Sequence, residues 1–101
     1  MSLTLRDAQY SAWKTLKKFE KIDESRAEKF GSADNLIQIA EKAREKIKVL
    51  KNSSLVTGGD ELAKLFSELL FLLLTLSERY GINLEESFLE SVNAIILDFV
   101  S

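Results

Sequence analysis

The sequence predicts an all-α fold, and three observations carry that expectation. Pro is absent and Gly occurs only four times in 101 residues, so the chain has few helix breakers. Apolar residues recur at spacings of three and four in four successive segments, the period of one helix face. No segment alternates apolar and polar residues as a half-buried strand would. With 46% hydrophobic and 30% charged residues, the chain reads as one domain, residues 1–101, around a single modest core.

The first helix starts near Thr4, where Asp7 three residues on gives the pattern of a capping box. Leu5, Ala8, Ala12, Leu16 and Phe19 mark its apolar face, with Trp13 at the margin. The pattern fades through Lys21–Glu28, and a loop is expected at Gly31-Ser32. Ser32 is placed to cap the second helix, whose stripe reads Leu36, Ala40, Ala43, Ile47 and Leu50. Asn52-Ser53-Ser54 and Thr57-Gly58-Gly59 form the longest loop signal.

The third helix opens at about Asp60, and its residues 65–76 are apolar except for Ser67, Glu68 and Thr75. A helix apolar nearly all round lies at the centre of a bundle or at a subunit interface. Gly81 fits a left-handed helix C-terminus followed by a hydrophobic contact from Ile82. Asn83 then caps the fourth helix, with Glu86 completing a second capping box. That helix has two apolar stripes: Phe88, Val92, Ile95 and Phe99 on one face, and Leu89, Ile96 and Val100 beside them. One stripe is expected inside the protomer and the other against a partner chain, so a four-helix bundle that assembles as a homodimer or homotetramer is the expectation.

Composition excludes several chemistries. There is no Cys and no His, which removes disulfides, thiolate sites, the commonest general base and the commonest transition-metal ligand. Catalysis would run on carboxylates, Lys, Tyr, Ser or Thr, and a metal would be a hard, oxygen-liganded ion such as Mg²⁺ or Mn²⁺. A net charge of −2 with interspersed signs offers no general footprint for nucleic acid. Lys14, Lys17, Lys18 and Lys21, and the basic run from Lys42 to Lys51, alternate with Glu and apolar residues and read as solvated faces. The apolar run Leu69–Leu74 is far shorter than the roughly 20 residues a bilayer span needs, and the N-terminus has no apolar signal region. The expectation is a cytoplasmic protein without membrane contact.

Few groups converge as candidates for chemistry. Glu41 and Glu45 share a helix face at a spacing of four, and Glu68 is the one acid deep in the apolar helix. Two carboxylates from one helix and one from another are the makings of a Mg²⁺ site. The alternative is that Glu41 and Glu45 are solvated and pair with Arg44 and Lys48, with Glu68 facing a loop or a Lys. Gly58-Gly59 alone is no phosphate loop. Ser and Thr lack a His to activate them.

Taken in order, these segments resemble the MazG-like nucleotide pyrophosphohydrolases. The opening LTLRDAQYSAW is similar to the family's first helix, where Gln and Trp recur; here they are Gln9 and Trp13. LIQIAEKAREKIKVLK resembles the segment built on Glu-Glu-x-x-Glu. The chain from Lys64 onward resembles the segment that begins Glu-x-x-Asp and ends Arg-x-Gly-Ile-Asp-Leu-Glu-Glu, here Arg79-Tyr80-Gly81-Ile82-Asn83-Leu84-Glu85-Glu86. The resemblance implies an all-α oligomer in which acids of the second and third helices hold Mg²⁺. The ion binds a nucleoside triphosphate and activates the water that releases pyrophosphate. It also implies that Gln9 and Trp13 lie near the base, although packing is the simpler role for Trp13.

The match departs where the chemistry should be. Glu41 and Glu45 fit, but Lys42 stands at the middle acid position. Glu68 falls where Asp is expected, Leu65 replaces the preceding Glu, and Ser91 and Ile95 stand where the last helix often carries Lys and Asn. Glu61 shares the face of Glu68, but seven residues are a rise of about 10.5 Å, too far for one ion. Lys42 is expected to pair with Glu45 or Glu68 in place of a metal. Three readings follow: a non-catalytic or weakly active family member that binds a nucleotide, an active Mg²⁺-dependent pyrophosphohydrolase, and a small helical module for protein interaction.

Overall fold

The computed structural model describes residues 3–51 and 59–100. These residues form helices α1 Leu5–Ile22, α2 Glu24–Ala27, α3 Ala33–Lys51, α4 Gly59–Arg79 and α5 Leu84–Val100, with a 3-10 turn at Glu28–Gly31. Among the described residues there is no strand, as the sequence predicts. Apart from Gly59, which opens α4, the long loop expected between the second and third helices lies outside the described residues.

Local signals set the helix ends. Thr4 accepts from the Asp7 N–H at 3.0 Å, and Asp7 accepts in return from the Thr4 N–H at 3.4 Å, completing the capping box. Asp23 ends α1 and starts α2: its N–H donates to the Phe19 carbonyl at 2.9 Å, and its carboxylate accepts from the Arg26 N–H at 3.2 Å. The fading pattern of Lys21–Glu28 therefore hides a short helix, because one Asp serves two helix ends there. Ser32 Oγ accepts from the Asn35 N–H at 3.4 Å and caps α3.

α4 is the central element and packs against both α1 and α3. Leu16 and Leu72 are fully enclosed between them, with Ala12, Ile39, Ala43 and Leu74 around them. Ala12 and Ala43 keep the facing backbones close. Phe30, carried on the 3-10 turn, stacks edge-on against Phe71 with centroids 5.5 Å apart and tilts against Phe19 at 5.8 Å. The Thr75 hydroxyl donates towards the Phe30 carbonyl at 3.2 Å and ties this turn to α4.

The buried face of α3 is rotated from the expected stripe. Ile39 and Ala43 are buried and Leu36, Lys46 and Leu50 half-buried, whereas Ala40 is exposed and Ile47 is 44% exposed. Both registers have helical spacing. The observed one turns the larger Ile39 inward, and the Lys46 stem lies on the face while its ammonium reaches out to Glu61.

The left-handed Gly81 turn and the Asn83 cap at the α4–α5 corner form as the sequence predicts. Gly81 has φ +68°, its N–H donates to Glu78 O at 3.2 Å, and the Ile82 N–H donates to Ser77 O at 2.8 Å. These two bonds define a Schellman motif, for which a left-handed Gly is suited. Asn83 Oδ1 accepts from the Glu86 N–H at 3.3 Å.

α5 departs from expectation. It packs on α1, yet none of its residues is buried, and only Leu84, Glu85 and Val92 are half-buried. Instead of one covered stripe and one free, both are open: Ile95 is 66% and Phe99 91% exposed. The radius of gyration is 16.1 Å, against about 13 Å for a compact chain of 100 residues.

Candidate functional site

Two open grooves flank the α3–α4 packing, and Lys42 lies on the margin of both. The first, about 580 Å³, is lined by Glu41, Lys42, Glu45, Lys46, Glu61 and Leu65 among others. The second, about 570 Å³, has an apolar floor of Phe19, Phe30, Ile39, Phe71 and Leu72. Lys29, Lys42 and Lys64 stand on its rim beside Glu68, Thr15 and Ser67.

The candidate acids thus divide between two places. Glu41 and Glu45 face the first groove, and Glu68 faces the second. Glu68 is exposed rather than enclosed in the apolar helix, because its side of α4 opens on the groove mouth. Among the described residues, no three acids are placed together to hold a metal ion. The residues present therefore do not fit the implied Mg²⁺ or Mn²⁺ centre.

Lysines pair with two acids of the first groove, Glu45 and Glu61. Lys46 Nζ lies 2.5 Å from Glu61 Oε2, and this hydrogen bond together with the ammonium charge holds the Glu61 carboxyl below its ordinary value of 4.5. Lys48 lies 3.6 Å from Glu45, three residues along the same helix. The lysine expected to pair with Glu45 or Glu68 was Lys42; the pairs that form use Lys48 and Lys46 instead. Sequence spacing missed Lys46–Glu61 because its partners stand fifteen residues apart on two different helices.

Gln9 is not among the residues that line either groove. It is wholly buried; its Nε2 donates to Glu78 Oε2 at 2.8 Å and to the Ile82 carbonyl at 2.7 Å, and its Oε1 accepts from the Leu84 N–H at 3.2 Å. Both amide protons are committed to holding the α4–α5 corner against α1. Trp13 is half-buried, with Lys17 Nζ 4.4 Å and Arg79 Cζ 5.7 Å from its ring centre. These cations occupy the ring surface that a base would stack on. Arg79 also reaches Glu20 at 3.6 Å, so Trp13, Glu20 and Arg79 join α1 to the end of α4.

The second groove combines the features that ligand sites share. It has the volume of a small-molecule pocket, an aromatic floor and a few charged groups at the edge. Its rim suits an anion and its floor a planar apolar body. Sequence reading singled out Lys42, as a stand-in for a metal and a substrate contact, but gave no such role to Lys29 or Lys64, because the three come from different elements that only the fold brings to one rim.

Comparisons with protein-family models, with curated proteins and with solved structures find no match to this chain. Among the described residues, no helix is long and apolar enough to cross a membrane.

Proposed function

We propose that the chain is a divergent MazG-like protein that binds a nucleoside triphosphate without hydrolysing it. The observation that carries this is the second groove, where Lys29, Lys42 and Lys64 rim a floor of Phe19, Phe30 and Phe71. The lysines match phosphate oxygens as point charges, and the aromatic floor accepts a base. Non-catalytic binding is favoured because the acids that the resemblance assigns to metal are divided between two grooves, and Glu45 and Glu61 are paired with lysines. A cytoplasmic compartment accords with such a ligand. The interaction-module reading also has an observation behind it, the open faces of α5.

The test is a thermal melt with ribo- and deoxynucleoside triphosphates, run beside an assay for pyrophosphate release with Mg²⁺ and with Mn²⁺. A nucleotide at 100 times its Kd adds about 2.7 kcal/mol of stability. The expected result is stabilisation without turnover, reduced when Lys42→Glu and Lys64→Glu are combined. Turnover that Glu68→Gln abolishes would instead establish the active pyrophosphohydrolase. No stabilisation by any nucleotide would overturn the binding reading.

A further inference from the structure

The second groove has a direction along its length. The Lys46–Glu61 pair sets α3 and α4 side by side and antiparallel, and both helices rise about 1.5 Å per residue. Backwards along α3 and forwards along α4 from that pair, Lys42 comes level with the turn of Lys64, Ile39 with Glu68, and Asn35 with Leu72. All six of these residues line the groove. On α4 itself Lys64, Glu68 and Phe71 follow one another at spacings of four and three, so they share one helix face.

The wall therefore changes its chemistry in three steps. Lys42 and Lys64 stand at one end. At the other end Phe71 meets Phe30 with ring centroids 5.5 Å apart, and Phe30 meets Phe19 at 5.8 Å. Lys29 belongs to this aromatic end, its Nζ 5.2 Å from the centre of the Phe30 ring. Glu68 stands between, a rise of about 6 Å from Lys64 and about 4.5 Å from Phe71. This succession of cation, carboxylate and aromatic floor runs parallel to the phosphate, sugar and base of a nucleotide.

Glu68 is open to such a ligand. Among the described residues, Glu68, Lys42 and Lys64 take part in no ion pair, although Lys64 and Glu68 have the spacing at which helix pairs form. An ionised carboxylate only accepts hydrogen bonds, so it suits a ligand part that is uncharged and carries donors. The neighbouring hydroxyls are weaker acceptors: Ser67 Oγ donates to Ala63 O at 2.8 Å and Thr15 Oγ1 to Ser11 O at 2.9 Å. Hydrogen bonds to an ionised acceptor are about twice as strong as neutral ones. A ribose offers two adjacent hydroxyl donors to the two oxygens of one carboxylate, and acids take that part in dinucleotide-binding folds. A deoxyribose offers one.

We infer, resting on the nucleotide reading above, that Glu68 accepts from the 2′- and 3′-hydroxyls of the sugar, so that the groove takes ribonucleotides in preference to deoxyribonucleotides. The phosphates then lie between Lys42 and Lys64, and the base lies on Phe30 and Phe71.

The test is calorimetric titration of the full chain with ATP against dATP and GTP against dGTP, in the presence of a chelator so that no bridging cation contributes. Each ribonucleotide is expected to bind at least about tenfold more tightly than its deoxy counterpart, the worth of one hydrogen bond to a charged group. Glu68→Ala is expected to bring the two Kd values of each pair together. Lys64→Ala is expected to weaken both members and to leave their ratio as it is in the native chain. Equal Kd values within each native pair overturn the sugar selectivity and leave the nucleotide reading standing. A ribonucleotide preference that survives Glu68→Ala overturns the role of Glu68. A preference between ATP and GTP that Glu68→Ala removes, with no preference between sugars, moves Glu68 to the base edge and also overturns it. No heat and no thermal stabilisation with any of the four nucleotides removes the nucleotide reading together with the selectivity built on it. Glu68 and Lys64 are both exposed, and circular dichroism of the two variants shows that they still fold.

Discussion

Gln9 on α1 and Leu84 in the first turn of α5 are joined by a 3.2 Å hydrogen bond across 75 residues of sequence. The same amide donates to Ile82 O and to Glu78. One buried side chain thus supplies an acceptor to a helix start, where backbone N–H groups lack partners, and two donors to the corner before it. Gln9→Ala empties this space and leaves the Leu84 N–H and Ile82 carbonyl without these partners. Each stranded group costs about 1–3 kcal/mol, so the variant is expected to lose at least about 2 kcal/mol, read by urea denaturation. Gln9→Glu sets a carboxylate against Glu78 and is expected to be less stable at pH 7 than at pH 4.

The Gly81 corner offers a second check. At φ +68°, with open space around the missing Cβ, the only cost of a side chain is backbone strain. Gly81→Ala is expected to destabilise the protein by about 1–2 kcal/mol, while Gly81→Asn, which tolerates the left-handed region better, loses less. Equal losses in a melt of the two variants would show that something other than φ is limiting.

These two sites show what sequence could and could not disclose. The corner was legible because Gly-Ile-Asn uses local signals, each interpretable within five residues: the left-handed Gly, the 6→1 bond to Ser77 and the Asn83 cap. The helices were legible for the same reason, down to the Thr4–Asp7 box. The face of α3 was not, because Ile39 and Ala40 give equally periodic stripes and only the position of α4 chooses between them. Gln9 drew notice as a candidate ligand contact, yet its partners lie about seventy residues away in sequence. Likewise Lys29, Lys42 and Lys64 share a rim only after three elements are packed.

The Lys46–Glu61 pair predicts a pH dependence. The Glu61 carboxyl is held below 4.5 by its hydrogen bond to Lys46 and by that ammonium's charge. A carboxyl whose pKa is lower in the folded chain binds its proton more readily in the unfolded one. Its contribution is therefore present above pH 4.5 and is lost as pH falls through the lower folded value. Glu61→Gln is expected to be slightly less stable than the native chain at pH 7 and to converge with it under acid conditions. Because Glu61 is exposed, the difference is small and fades in high salt. Melting curves between pH 3 and 7 at low and high ionic strength measure both trends.

The first groove predicts what restoring acids would do. Lys42 and Leu65 line it together with Glu41, Glu45 and Glu61. In the native chain Lys46 pairs with Glu61 and Lys48 with Glu45, so added Mn²⁺ is expected to leave the melting temperature unchanged. Lys42→Glu with Leu65→Glu exchanges one cation and one apolar side chain for two carboxylates. The crowded acids repel one another, and the double variant is expected to melt below the native chain in the absence of metal. A hard cation relieves that repulsion and takes oxygen ligands from both helices. At 100 times its Kd, Mn²⁺ is expected to return about 2.7 kcal/mol. Stabilisation that appears in the double variant and in neither single variant would locate the ion between α3 and α4. A Mn²⁺ effect on the native chain that Glu68→Gln removes would instead place a cation in the second groove, contrary to the division of acids seen here.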